Sequence, residues 1–529
     1  MEKEIISLMW KRISSHLPER RVLFVLLAIL VLASFLRLYR ISDYMTFLGD
    51  EGRDVLVAKH ILEGELTFLG PRASAGDFYL GPIYYYFMAP FLFLFNLNPV
   101  GPAVMIALFG IATVFLVYYV TSKLVNTTGG LVAAGLYAVS PLVIVYSRSS
   151  WNPNLMPPVT ISMLYLLYLA VKSPSWKKYI GVGLLFGIAL QLHYLELFVA
   201  IIIVLFTFLG RYLVQKKSII KESLVAYGQM LVGFLITFSP FIAFEVKNHF
   251  PNTQTIFGFV FSTSAQAQGT TSHEPFLNIV KDVLFRLFGR LLLSFPTNDH
   301  MYKFTDTELS LWGAGVIILC IVSIFFIYRI KDNVTKLFLL LWLVCGVALF
   351  GFYKKPIYDY YFEFMFPLPF ILYGNIAAQA IKKSVNWIIK YFVVGITIFL
   401  FVLNLYGMPF KFEPNRQKDQ VKSIADFVLS KTDNKPYNFA LITPGNSDHG
   451  YRYFFEAAGR KPVGIENQIN DPKRTTVTDQ LLVVCEDVGC LPLGNPLFEV
   501  AGFGRAEIAG EWNVSVVKVY KLVHYEGNN

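Results

Sequence analysis

Apolar runs of about 17–25 residues recur along the chain from Val22 to Leu405, each the length that crosses a bilayer as a helix. The first is Val22–Leu38. Ten more are read at roughly 103–122, 129–146, 153–171, 178–193, 195–210, 224–245, 309–329, 335–352, 361–381 and 385–406. Short basic stretches separate them: Lys172/Lys177/Lys178, Arg211/Lys216/Lys217/Lys221, Arg329/Lys331/Lys336 and Lys382/Lys383, while Lys11, Arg12, Arg20 and Arg21 precede the first. Lys and Arg mark cytoplasmic loops, so the N-terminus is expected inside and the later spans pair off between basic loops. The apolar stretch Tyr79–Asn96 breaks this order if it crosses, because every later basic cluster would then lie outside. It is expected to be re-entrant or interfacial, which suits its Gly81-Pro82 start, Pro90 and the Tyr84-Tyr85-Tyr86 cluster. The pattern therefore predicts a polytopic α-helical membrane protein of about eleven spans, N-terminus inside and C-terminal part outside.

Composition agrees. Of 529 residues, 55% are hydrophobic and only 16% charged, against about 25% charged in soluble domains. Val22–Leu38 reads as a retained span, too long for a signal peptide and without a clear cleavage site. The net charge of +10 is accounted for by orienting loops and does not call for nucleic acid. Cys320 and Cys345 fall inside apolar runs as core residues. Cys485 and Cys490, in the tail, could form a disulfide if the tail is extracytoplasmic. No Cys/His spacing reads as a zinc site. The compact architecture without an organelle signal points to a prokaryotic plasma membrane.

After Gly407 the composition turns charged and turn-rich, dividing the chain into a membrane domain, 1–408, with a first external loop at 42–99, and a soluble α/β domain, 409–529. Val421, Ile424, Ala425, Val428 and Leu429 recur at helical spacing. Phe439–Ile442, Leu481–Cys485 and Val514–Val523 read as strands. Asp448, His449, Arg452 and Glu456 lie in this domain without forming a catalytic set, so a substrate-guiding or structural cap is expected.

The polar stretches that the span order puts outside are the first loop, Arg148–Asn154, His193-Tyr194-Leu195-Glu196, the 247–308 loop and Tyr353–Tyr361. Among them Asp50-Glu51, in Leu48-Gly49-Asp50-Glu51-Gly52-Arg53-Asp54, is the most informative: a carboxylate pair at a membrane boundary is costly unless it has a function. A short amphipathic helix, Asp54–Glu65, is expected after it, with Asp50 also able to cap it.

Three motifs carry a family resemblance: Asp50-Glu51-Gly52-Arg53 followed by Phe78-Tyr79-Leu80-Gly81-Pro82 and an aromatic run; Ala138-Val139-Ser140-Pro141 with Tyr146–Asn154; and Tyr358-Asp359-Tyr360-Tyr361 running to Phe366-Pro367-Leu368-Pro369. Over about residues 20–410 the chain resembles GT-C glycosyltransferases of the protein O-mannosyltransferase and aminoarabinose (lipid A) transferase branch. That resemblance implies a GT-C fold and transfer of a sugar from a polyprenyl-phosphate donor to an acceptor hydroxyl of a protein, lipid or glycan, with inversion. It implies Asp50 as the base and Glu51 as its neighbour, orienting Asp50 or the acceptor, since a carboxylate within reach can take the acceptor proton. Arg53 pairs with the acids or approaches the donor phosphate.

Arg148, Asn152, His193, Tyr194, Lys354, Lys355 and Tyr360 are the further candidates for donor sugar or phosphate. For Arg148 and Asn152 the alternative is an interfacial anchor beside Trp151, for His193 a histidine satisfied by backbone, and for Lys354 and Lys355 snorkelling. The first loop lacks the family's Lys-Pro lysine, so Arg148, Lys354 or Lys355 would serve the phosphate instead. Asn152 stands where relatives have Asp, a poorer ligand for a hard cation. No cofactor is therefore required on this reading, with Mg²⁺ or Mn²⁺ as the open alternative and no metal residues assigned. The competing readings are an oligosaccharyltransferase or glycan polymerase, and a transporter or flippase, whose internal repeats are not seen here.

Overall fold

The computed structural model describes residues 19–73, 78–215, 219–261, 274–294, 305–353, 355–383, 386–487 and 489–525. Lys354, and the basic residues Lys11, Arg12, Lys216 and Lys217, lie outside the described residues.

Among the described residues eight helices are long and apolar enough to cross a membrane, from Arg20–Leu38 to Trp387–Tyr406, or nine if Asp359–Met365 and Pro367–Ile381, bent by 48°, make one span. Two of the eleven expected spans are shorter. The expected 129–146 run is broken into Thr127–Val139 and Pro141–Tyr146. Pro141 cannot continue a helix, and it forces the preceding Ser140 into the extended region (ψ 119). The other is Trp176–Leu192, of 17 residues. Ile83–Leu94 has 12 residues with Pro90 inside. At 1.5 Å per residue it reaches about 18 Å, short of a ~30 Å hydrocarbon core.

Two of the expected basic loops meet at one end of the bundle, where Lys172 pairs with Asp332 at 2.9 Å; in a third, Arg211 pairs with Glu222. The opposite end holds the site. There the helix expected from Asp54 begins five residues earlier, as Gly49–Leu62. Glu51 explains the early start: its carboxylate reaches back to accept the Leu48 N–H at 3.0 Å, closing the first turn. Asp50 thus sits within the first turn and does not cap it, and both acids face the positive end of the helix dipole.

The tail forms a four-stranded sheet from β1 (Asn438–Ile442), β2 (Gln480–Cys485), β3 (Ala506–Val514) and β4 (Val517–His524), in the order β1-β2-β4-β3, with β1 and β2 parallel and the rest antiparallel. The expected strand at 514–523 is β4 plus the end of an unanticipated partner, β3. The two turn through Ser515, which takes a positive φ of 53°. Gln417–Ser430 is the expected tail helix. Cys485 and Cys490 form a disulfide, while Cys320 is buried and Cys345 half-buried.

The α/β domain is seated on the site end of the bundle. The Gly49 N–H donates to Asn446 Oδ1 at 2.8 Å, the Phe47 N–H to Gln417 Oε1 at 3.1 Å, and the Arg416 N–H to the Asp43 carbonyl at 2.9 Å. His60 Nε2 lies 2.9 Å from Glu456 Oε2. The closest backbone approach between them is at Gly52, where a Cβ would sit 2.3 Å from the Gly450 nitrogen.

Candidate active site

Asp50 lies where two cavities meet. On one side is a narrow cleft lined by Asp50, Arg53, Arg72, Trp151, Asn152, His193, Tyr194, Tyr360 and Tyr361, with about 30 Å³ of free space. On the other is a chamber of about 860 Å³ between the bundle and the α/β domain, lined by Asp50, Glu51, Trp151, Asn446, Tyr451 and Glu486 among others. Asp50 and Trp151 line both.

The Gly49–Leu62 helix sets the charges of the cleft. Arg53 bridges two acids: Nη1 to Asp50 Oδ1 at 2.9 Å, and Nε and Nη2 to Asp54 Oδ1 at 2.9 and 2.8 Å. Asp54 is fully buried, and burial pushes its carboxyl up to about 6 against the pull of Arg53. Asp50 is more than half exposed, and its second oxygen makes no hydrogen bond among the described residues. That oxygen is free to accept from a bound molecule. Glu51 is 6% exposed, and burial pushes its carboxyl up to about 7. With one oxygen on the Leu48 N–H, Glu51 fixes the helix start and does not hydrogen-bond Asp50.

Arg72 reaches the cleft from a short antiparallel ladder in the first loop. Gly70 N–H donates to Leu80, Leu80 N–H to Pro71 and Ala73 N–H to Phe78, at 2.8–2.9 Å. Across from it, Asp359 is held between Arg286 and Arg290 at 3.1 and 2.5 Å. This ion pair anchors the turn that presents Tyr360 and Tyr361. Tyr360 lies 4.3 Å from Trp151, ring centre to ring centre, and His193 stacks on Tyr194 at 4.7 Å. Tyr194 and Tyr353 share a hydroxyl hydrogen bond of 2.7 Å. Asn152 donates to the Leu192 carbonyl, and His193 Nδ1 accepts the Leu195 N–H at 3.3 Å.

The sequence-predicted residues Asp50, Arg53, Asn152, His193, Tyr194 and Tyr360 are thus brought into one cleft, although they come from four separate segments. Arg148 is not among them. It is 2% exposed, donates to the carbonyls of Leu36 and Tyr39 at 2.7 and 2.6 Å, and lies over Phe410 at 4.7 Å. It closes the end of the first span, whose last carbonyls have no helical partner. Lys355 lines neither cavity. The cation in the cleft that sequence reasoning missed is Arg72; its signal was a basic residue in the same loop region as Asp50. Also missed were Asn446 and Glu486. They follow the parallel strands β1 and β2 at their carboxyl ends, where open α/β sheets place ligands. Among the described residues no three of His, Cys, Asp and Glu converge as a metal set.

A bundle of membrane-length helices with an acidic loop helix at one end and a small α/β domain seated over it is the GT-C fold. The family described as dolichyl-phosphate-mannose-protein mannosyltransferase matches residues 80–244, under a third of the chain. ArnT from Cupriavidus metallidurans, in its structure bound to undecaprenyl phosphate, is similar with a TM-score of 0.57 at 13% identity, covering 94% of this chain and 97% of that one. The archaeal oligosaccharyltransferase AglB from Archaeoglobus fulgidus, in complex with an inhibitory peptide and a dolichol-phosphate, is similar with a TM-score of 0.53 at 14% identity, covering 88% of this chain and 69% of that one. The arabinofuranosyltransferase AftD from Mycobacteria gives 0.52 at 12% identity, covering 97% of this chain and 40% of that one. At these identities the likeness is one of fold. Comparison with curated protein sequences gives no match.

Proposed function

We propose that this protein is a membrane glycosyltransferase that moves a sugar from a polyprenyl-phosphate donor to an acceptor hydroxyl at the outer face of the membrane, with inversion. The observation that carries the reading is Asp50 at the junction of a cationic cleft and a larger chamber. Arg53 and Arg72 give the cleft the charge that a phosphate needs, and the aromatic set of Trp151, Tyr194 and Tyr360 gives a sugar apolar faces to lie on. Similarity to folds whose structures hold undecaprenyl phosphate and dolichol-phosphate supports the donor class.

The acceptor enters through the chamber. Its hydroxyl gives its proton to the free oxygen of Asp50 as its oxygen attacks the anomeric carbon. The bond from that carbon to the phosphate oxygen breaks, and the lipid phosphate leaves with the electron pair. A phosphate monoester needs charge stabilisation more than a proton, which Arg53 and Arg72 supply. Arg53 also holds Asp50 by its other oxygen, aiming the free one. The free space in the cleft is about the size of one water molecule, so donor binding must move a wall. This reading assigns no cofactor: the charge that the leaving phosphate needs comes from Arg53, shared between Asp50 and Asp54, and from Arg72.

The test is transfer from a panel of radiolabelled polyprenyl-phosphate sugars by purified protein, wild type beside Asp50→Asn. The expected result is a loss of about 10²–10⁴-fold in the variant with donor binding retained. Equal transfer by both removes Asp50 as the base. No transfer from any single-sugar donor, with transfer from a lipid-linked oligosaccharide, supports the oligosaccharyltransferase reading instead.

A further inference from the structure

We infer that the chamber admits an acceptor carrying no anionic group, and that Glu486 is the specificity-determining residue that enforces this. The inference rests on the reading of the chamber as the acceptor side of Asp50. Its carboxylate lining residues are Asp50, Glu51 and Glu486, and no Lys, Arg or His joins them among the described residues. In a chain of net charge +10, a chamber of about 860 Å³ without a basic side chain is not what composition supplies by default. The cations are sorted to the other side of Asp50, where Arg53 and Arg72 line the cleft. The donor phosphate and an anionic acceptor thus have opposite fates. One meets two guanidiniums, and the other would face acids on both walls.

Glu486 sets the far wall. It accepts from Asn446 Nδ2 at 3.1 and 3.2 Å and from the Tyr451 hydroxyl at 2.9 Å. Asn446 in turn accepts the Gly49 N–H of the Asp50 helix. Glu486 follows Cys485, which is bonded to Cys490. The carboxylate is therefore fixed by uncharged donors and cannot swing aside for a second anion. A carboxylate accepts and does not donate, so it favours hydroxyl or ammonium groups and repels phosphate or carboxylate. Val421, Ile424, Val516 and Val517 line the same chamber. The acceptor class is a hydroxyl compound with an apolar flank that is neutral or cationic.

The charge of the chamber can be read without knowing the acceptor. Gln420, on the chamber wall, is replaced by cysteine, and Ser430, exposed on the same helix, serves as the control position. Rates of modification by a cationic and an anionic methanethiosulfonate are measured at each in the full protein. The cation-to-anion ratio is expected to be about tenfold higher for Gln420→Cys than for Ser430→Cys, as fixed charges several ångströms away dictate. Adding Glu486→Gln should cut that excess severalfold, and Glu486→Lys should reverse it. Equal ratios at the two positions, or an excess unmoved by Glu486→Gln, overturn the inference. In a second arm, alkyl glycosides and hydroxyl peptides are offered as acceptors in neutral and phosphorylated pairs. The phosphorylated member should show kcat/KM at least about tenfold lower, narrowed by Glu486→Gln. A phosphorylated acceptor used as readily as its neutral twin also overturns it. Because thiol modification does not depend on turnover, the Asp50→Asn result and this one fail independently.

Discussion

Gly52→Ala should damage transfer far more than its size suggests. A Cβ at Gly52 would lie 2.3 Å from the nitrogen and 2.4 Å from the Cα of Gly450. Both are backbone atoms, so no rotamer can relieve the clash. Ordinary contact begins near 3.4 Å, so the helix and the α/β domain must part by roughly 1 Å. The hydrogen bond from the Gly49 N–H to Asn446, now 2.8 Å, does not survive that displacement and takes about 1 kcal/mol with it. Overpacking strain adds about 1–3 kcal/mol. Helix propensity pulls the other way by about 0.5–1 kcal/mol, since alanine is the better helix former. The net expectation is a loss of about 1–3 kcal/mol in stability. A ~1 Å shift of the chamber wall against Asp50 should cost about 10²-fold in kcat/KM for the acceptor, with donor KM unchanged. Gly450→Ala is the control: a Cβ there meets Val421 Cγ1 at 3.5 Å and the Leu48 carbonyl at 3.6 Å, which are ordinary contacts. It should be neutral or slightly stabilising. Steady-state transfer and thermal midpoints of the two variants decide the matter. Equal behaviour of Gly52→Ala and Gly450→Ala would refute the claimed approach.

Further outcomes follow from single groups. The Glu51 carboxyl is raised from the usual 4.5 to about 7 in the folded state. Below pH 4.5 both states hold the proton; between 4.5 and about 7 only the folded one does, so stability falls as pH rises through that window, by about 3 kcal/mol in all. Glu51→Gln should flatten the thermal midpoint against pH across that range, and an unchanged slope would count against it. Arg72→Ala should raise donor KM by about 10–100-fold, the worth of a charge-assisted contact, with little change in melting, because Arg72 is exposed; an unaltered donor KM would remove it from the cleft. Transfer should persist after exhaustive chelation with EDTA, and loss restored by Mg²⁺ or Mn²⁺ would reverse the metal-free reading. Reducing Cys485–Cys490, a loop of five residues' separation, should cost about 2 kcal/mol by loop entropy, read as a lower thermal midpoint after dithiothreitol.

Much of the membrane part was legible because a bilayer imposes one length and one composition on every crossing element. The pattern fails where length fails. Thr127–Val139 and Pro141–Tyr146 read as one run because Ser140-Pro141 is apolar enough to pass unnoticed in a hydropathy profile, although Pro141 ends the first helix. In the tail, β1 and β2 are buried runs and were visible. β3 was missed because its burial alternates around charges, Glu507 and Glu511, with Gly510 between them. That is an edge strand written in the composition of a loop. The cleft was legible in part because polar residues at span ends must converge once the bundle closes. Arg148 obeyed the same rule and still misled: a buried guanidinium can be consumed by helix-end carbonyls as readily as by a phosphate, and sequence position does not distinguish the two.

The segment Leu48–Asp54 reads as a loop motif but works as the N-cap and the first turn and a half or so of a helix, and the difference accounts for its order of residues. At about 100° per residue, Asp50, Arg53 and Asp54 fall on one face, Gly49 and Gly52 on another, and Glu51 between them on the far side. The first face meets the cleft, where Arg53 joins both acids. The second meets the α/β domain, where Gly49 lies against Ser447 and Gly52 against Gly450, and where any side chain would hold the two apart. Glu51 turns back to the Leu48 N–H and lines the chamber. These seven residues therefore fix the position of Asp50 from three sides at once, and the two that have no side chain let the α/β domain come to backbone contact beside it.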